Sequence, residues 1–299
     1  GHIFVYQPAG NPYASLGGSR IFVHGQDQLL EFDGTGKFIR EIGKGVYADL
    51  VASSVRVDSH DNVWAVDRYA GMVIKYSPDG SQIVMLLGRK PESINVTVAG
   101  AAGRGGRGRG NRAPGQGGDQ DLFTGASDVA FDASGNIFVA DGYGGNNRVA
   151  KFTPDGVFVA SFGKTGSDNA SLDNPRSVAV DAAGNVYVAD HNNHRVQVIS
   201  NDLKSVVRTI EGVGDPAAVC VSPGAHPYLY VSNSNPMDDL EKGGEIYRVE
   251  LSGQVVGRFG TAGKGPREFA SVNQIDCRQA NTLYTAETGG FRVQKVTLR

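Results

Sequence analysis

The sequence predicts an all-β protein, a six-bladed β-propeller of four-stranded antiparallel blades. Two observations carry this. Short apolar runs come in groups of four, parted by turn residues, and the groups recur with a period in the forties. The clearest group is Ser127–Gly163, with apolar runs at Val129–Phe131, Ile137–Ala140, Val149–Phe152 and Val157–Phe162. Gly135-Asn136 parts the first two runs and Pro154-Asp155-Gly156 the last two. Asn, Asp and Gly tolerate the left-handed backbone of tight turns, and Pro presets one turn dihedral. One such sheet cannot bury both faces alone, so it needs neighbours of its own kind.

The neighbours follow in order. Gly1–Gly43 supplies IFVY, QLLEFD and KFIREIG, read as the second, third and fourth strands of a first blade. Ser54–Gly88 gives a second blade, Ser127–Gly163 a third and Arg176–Gly212 a fourth. Ala217–Gly260 is a fifth, with an insertion at Asn233–Gly244, and Asn273–Arg299 is a sixth that stops before a fourth strand. The turn residues Asn136 and Asn185 are 49 positions apart, and Asn185 and Asn281 are 96 apart. The expectation is one propeller domain over 1–299, its first blade lacking the opening strand and its last the closing one. Residues upstream of Gly1 are expected to carry both missing strands, since an unpaired strand edge is a liability.

The runs read as apolar on both faces, as in Val186-Tyr187-Val188-Ala189, which is what blades stacked face to face require. A formal net charge of −2 supplies no global field for nucleic acid or an anionic membrane. No apolar run approaches the roughly 20 residues of a membrane span. Cys220 and Cys277 fall in the first strands of consecutive blades at opposite pleat parity, so two buried free thiols are expected rather than a disulfide.

In this topology the first-to-second and third-to-fourth turns share one rim, and these are short. The long segments, 99–118 and Asn233–Gly244, belong to the other rim, where a rigid scaffold would carry a site. The Gly/Arg-rich segment 99–118 holds Arg104, Arg107, Arg109 and Arg112 without an aromatic residue, so it reads as a soluble insertion rather than a nucleic-acid contact. Asp238, Asp239 and Glu241 in the other insertion offer carboxylates without the alternating spacing of a calcium loop. His191 and His194 lack an evident third ligand for a metal. Asp141 with Arg148, Asp190 with Arg195 and Glu287 with Arg292 read as cross-strand ion pairs, because their repetition in several blades fits structure rather than catalysis.

The runs VAVDAAGNVYVADHNNHRVQVI and VAFDASGNIFVADGYGGNNRVAKFTPDG resemble NHL repeats. With the opening IFVYQ, nearly the whole chain resembles the propeller of peptidyl-α-hydroxyglycine α-amidating lyases. That resemblance implies a zinc ion held by three histidines in Pro-His pairs that open first strands. It also implies a tyrosine in the second-to-third loop and an arginine after FVYQ. Here the three histidine positions hold Ser53, Arg176 and Asn273, and Pro8-Ala9 stands where the arginine would be. Tyr143 matches the tyrosine, while Gln274 stands where an acid would support calcium. The candidate ligand-binding set at the channel mouth is therefore Ser53, Tyr143, Arg176, His191, Asn273 and Gln274, with no metal ligand among them; no cofactor is expected, zinc is disfavoured, and calcium is left open without support.

The function so implied is a non-catalytic binding or protein-interaction scaffold using its loop-rich rim for a protein or a small anionic ligand. Two alternatives stand beside it: an enzyme, either the lyase or one of altered chemistry at the mouth, and a component of a larger assembly that packs on itself or other chains. The resemblance implies an extracytoplasmic location.

Overall fold

The computed structural model describes residues 1–7, 14–15, 21–22, 27–44, 51–88, 122–234, 236, 239 and 241–298. Six antiparallel sheets follow one another along the chain as blades of a propeller. Blades 2 to 5 have four strands each, in sequence order from the axis outward. Blade 3, for example, is Ala126–Phe131, Ile137–Asp141, Arg148–Phe152 and Phe158–Phe162. Blade 1 comprises Ile3–Gln7, Gln28–Phe32 and Phe38–Ile42, and blade 6 comprises Val272–Gln279, Thr282–Glu287 and Arg292–Thr297.

Local chemistry explains the turns. In blades 2, 3 and 4 the first strand is followed directly by Asp58, Asp132 or Asp181. Each carboxylate accepts the backbone N–H and the side-chain amide of the Asn four residues on, at 2.8 to 3.0 Å. This Asx arrangement fixes a tight turn without longer-range help. Second and third strands are wholly buried in blades 3 and 4, as in Ile137–Asp141 and Arg195–Ile199. Fourth strands depart from the two-sided apolar reading: they form the perimeter, where Ile83, Val84, Leu86, Val159 and Val207 are exposed.

Apolar side chains weld successive blades together. Leu29 and Ile42 pack with Val63, Ile74 and Tyr76 between blades 1 and 2, and Trp64 and Leu87 pack with Val129 and Phe152 between blades 2 and 3. Similar clusters join blades 3 to 4, 4 to 5 and 5 to 6. Among the described residues no such cluster joins blade 6 to blade 1. Polar bonds instead reach from blade 6 to blade 2. The Gln274 amide both accepts from the Val55 N–H and donates to the Val55 carbonyl, and Arg56 donates to the Ile275 carbonyl at 3.0 Å. Arg56 also pairs with Asp128 of blade 3 at 2.6 Å, so its guanidinium ties three blades near the axis.

The two cysteines correct the sequence reading. Cys220 and Cys277 form a disulfide, with Cα atoms 6.0 Å apart. Inner strands converge toward the axis, which brings blades 5 and 6 within bonding reach. The parity objection fails because the register of Val272–Gln279 shifts between Asp276 and Gln279. That irregularity changes which face Cys277 presents.

The acid–arginine pairs form in register. Asp141 lies opposite Arg148, Asp190 opposite Arg195 and Glu287 opposite Arg292, with N–O distances of 3.3, 2.7 and 3.1 Å. They do more than close a hairpin. Asp141 accepts the Thr124 and Gly125 N–H groups, and Asp190 accepts that of Asp173. Arg195 donates to the carbonyls of Ser167, Asp168 and Ser171, and Arg148 to that of Leu122. Each pair thus pins the segment arriving from the preceding blade. Burial pushes the Asp141 and Asp190 carboxyls upward, and their arginines and backbone donors oppose it.

Pro8-Ala9, the four arginines of 99–118 and Asp238 lie outside the described residues. Among the described residues, no helix is long and apolar enough to cross a membrane.

Candidate functional site

The mouth on the loop-rich rim is built by a backbone irregularity that recurs at its edge. Where each inner strand begins, one extra residue is inserted opposite the second strand: between Ala52 and Ser54, Ala126 and Asp128, Pro175 and Val178, Pro216 and Val219, and Val272 and Gln274. Such bulges re-aim a side chain out of the sheet's alternation. Ser53, Ser127 and Asn273 are the extra residues in their blades, and Arg176 lies in the widened step of blade 4.

Serines then link the bulges. Ser53 Oγ donates to the Ser127 carbonyl at 2.8 Å, and Ser127 Oγ to the Pro175 carbonyl at 2.7 Å. On the far side, Ser232 Oγ donates to the Val272 carbonyl at 2.9 Å. Ser53 is therefore occupied in joining blades 2 and 3. Asn273 donates its amide to Thr288 Oγ1 at 3.0 Å, within its own blade. Gln274 is occupied by the Val55 backbone. These three of the six candidates serve the scaffold.

The other three converge. The Arg176 guanidinium lies 5.8 Å from the centre of the Tyr143 ring, within cation–π range. Arg68, which the sequence reading did not single out, lies 5.0 Å from the same ring. His191 opens a short 3-10 turn, His191–Asn193, and its Nδ1 lies 3.1 Å from the Pro216 carbonyl. A backbone carbonyl can only accept, so Nδ1 carries the proton. Burial, then the charge of Arg176, pushes His191 down to about 4, so it is neutral near pH 7. Burial also lowers Arg176, and the neighbouring Arg68 charge adds to that. His194 does not join His191 around a common point; it pairs with Asp215.

Arg176 and Arg68 share a second property. The Nε of Arg176 is buried without a hydrogen-bond partner, and neither guanidinium has a carboxylate within ion-pair distance among the described residues. Asp67, next to Arg68 in sequence, is fully buried and accepts the N–H groups of Val51, Tyr69 and Ala70. Asp27 accepts the Ala52 N–H, and burial pushes its carboxyl up to about 6. The hydroxyl of Tyr143, a residue 36% exposed, has no protein partner among the described residues.

The donor set does not fit a zinc ion. Zinc takes imidazole, thiolate or carboxylate ligands. Here a hydroxyl committed to a carbonyl, a guanidinium and an amide stand at the three positions. Among the described residues no three His, Cys, Asp or Glu side chains come together as a metal site. Asp239 of the fifth-blade insertion is paired with Lys242 at 2.8 Å.

A cavity of about 720 Å³ lies elsewhere. It runs along the axis beside Ile3–Tyr6 and is lined toward the opposite rim by Asp61, Pro78 and Arg278. Of the six candidates only Gln274 lines it. Its lining mixes Val and Ala of the inner strands with charged groups that are paired within the protein, such as Arg56 with Asp128 and Arg278 with Asp276.

Comparison with known proteins agrees with the architecture. The NHL repeat family model matches residues 123–152 and 172–199, in blades 3 and 4. The chain is 26% identical over 289 residues to rat (Rattus norvegicus) peptidylglycine alpha-amidating monooxygenase, across 91% of this chain and 26% of the relative. It is 30% identical over 133 residues to a probable peptidyl-alpha-hydroxyglycine alpha-amidating lyase of Caenorhabditis elegans, across 44% of this chain and 31% of the relative. The chain thus spans less than a third of these curated relatives. Among solved structures, a Bacteroides caccae protein of unknown function superposes with a TM-score of 0.61 at 13% identity, covering 99% of this chain and 89% of that one. A streptogramin B lyase superposes at 0.57 with 12% identity, covering 100% and 88%. At such identities the structural likeness shows the fold alone. The chain is a six-bladed propeller with NHL repeats in blades 3 and 4 and distant similarity to the amidating lyases.

Proposed function

We propose that this propeller, taken as one domain over 1–299, is a non-catalytic binding module outside the cytoplasm. It engages a protein or a small anionic ligand through the loop-rich rim. One observation carries the reading: the three bulge positions that match the lyases' metal histidines hold Ser53, Arg176 and Asn273. Two of these are committed to neighbouring protein groups, and the third is a cation that repels a metal. The lyase reaction draws on a metal to activate its substrate, and Tyr143 alone does not replace it. The disulfide between Cys220 and Cys277 supports an oxidising compartment.

The relatives' names supply the competing reading, an amidating lyase, and one experiment separates the two. The purified chain is supplied with zinc and a peptidyl-α-hydroxyglycine substrate. The expected result is no release of amidated peptide above the uncatalysed background. Sustained turnover dependent on Tyr143 would overturn the proposal.

A further inference from the structure

The arginines at the mouth carry an inference that rests on the binding reading and deepens it. Other arginines near the axis and at strand ends have carboxylate partners: Arg56 with Asp128, Arg148 with Asp141, Arg195 with Asp190, Arg278 with Asp276 and Arg292 with Glu287. Arg68 and Arg176 have none among the described residues, although both lie beside one tyrosine ring and each feels the other's charge. Placing two like charges together, one of them with a buried orphaned Nε, costs free energy that no ion pair offsets among the described residues. Asp215 favours the Arg176 charge and Asp27 that of Arg68 from a distance, but neither forms an ion pair with them. Asp215 pairs with His194, Asp67 is enclosed by backbone donors, and Asp27 is tied to Ala52.

We propose that Arg68, Tyr143 and Arg176 form a binding site for the oxyanionic group of a ligand, at the mouth where the resembled lyases hold a cation. The two guanidiniums supply charge and forked N–H donors, which suit the oxygens of a carboxylate or phosphoryl group. The Tyr143 hydroxyl supplies a neutral donor, and its ring holds both guanidiniums in place through cation–π contact. His191, neutral near pH 7 and turned to Pro216 by its Nδ1, adds no charge of its own. The positive potential of the mouth is therefore that of the two arginines.

Titration calorimetry at low ionic strength tests this with inorganic phosphate and with succinate as separate probes. The wild-type chain should bind one equivalent of at least one probe. Arg176→Ala and Arg68→Ala should each weaken that binding about tenfold or more, the share of one charge-assisted contact. Arg258→Ala, at an exposed surface ion pair, should leave it unchanged. Tighter phosphate binding assigns the site to phosphorylated ligands, and tighter succinate binding to carboxylates. Arg68 is exposed, so its variant reports binding even if Arg176→Ala folds poorly. No saturable binding of either probe, or equal binding by wild type and both mouth variants, overturns the proposal. Either outcome is separate from the zinc and turnover assay, which tests only whether the module is non-catalytic.

Discussion

The blades and the mouth use arginine in opposite ways. At the start of the third strand in blades 3, 4 and 6, an arginine meets a buried acid in register and satisfies backbone carbonyls of the incoming segment. At the mouth, Arg68 and Arg176 meet a tyrosine ring and each other. The blade arginines complete the protein, while the mouth arginines leave donors for something else. The same residue type serves stability in one place and recognition in the other, and the partner decides which.

Removing one arginine from each region gives the largest expected contrast. Arg195→Ala leaves the Asp190 charge buried with part of its support gone and should cost about 3–5 kcal/mol. Arg176→Ala orphans nothing and should change stability by no more than about 0.5 kcal/mol in either direction. Urea unfolding of both variants checks this, and equal losses would erase the distinction.

The disulfide comes next. It joins inner strands of blades 5 and 6, next to the interface where the described residues of blades 6 and 1 share no apolar cluster. The double variant Cys220→Ser, Cys277→Ser should lose about 2–4 kcal/mol. Reductant should lower the melting temperature of wild type but not of that variant. An unshifted wild type would show that the bond does not hold the ring.

Smaller effects should appear with pH, because Asp27 and His191 titrate with opposite signs. His191 is pushed down to about 4 in the folded chain, below its ordinary 6.5. The unfolded chain therefore takes up that proton first on acidification, and stability falls between about 6.5 and 4. Asp27 is pushed up to about 6 from 3.8, so the folded chain takes up that proton first, and stability rises as pH falls from about 6 to 4. The two partly cancel in wild type. His191→Gln should become relatively more stable toward pH 4.5 and Asp27→Asn relatively less. Parallel unfolding curves for the three proteins between pH 4.5 and 7 would contradict these assignments.

The smallest expected change lies at Phe291. It has a φ of 50° and is 87% exposed, at the position that Asn147 fills in blade 3 with a φ of 48°. A bulky residue there strains the backbone, whereas Asn tolerates it. Phe291→Asn should stabilise the chain by about 0.5–1 kcal/mol, read from its melting curve. A loss would show that the exposed ring makes a stabilising contact.

The blade repeat was legible because its signals are local. Asp132 and Asn136 make their own turn, and the alternation around Val129 and Val139 needs no knowledge of the ring. The Asp190–Arg195 pairing was legible for the same reason, being set by one hairpin. The disulfide was not, since it depends on convergence near the axis and on a register shift before Gln279 that no periodicity announces. That three of the six candidates serve the scaffold was not legible, because their hydrogen bonds to Ser127, Thr288 and Val55 come from elements brought close only by folding. Arg68 was missed for the converse reason. It follows Asp67 in a loop that looks like those of its neighbours, and only the ring geometry sets it beside Tyr143.

Anomalous diffraction from crystals soaked separately in selenate and in zinc salts would test the nature of the mouth most directly. The account predicts a selenium peak within hydrogen-bonding distance of Arg68 and Arg176 and no zinc peak among Ser53, Arg176 and Asn273. A zinc ion held at those three positions, with the selenate map empty beside the two arginines, would contradict it.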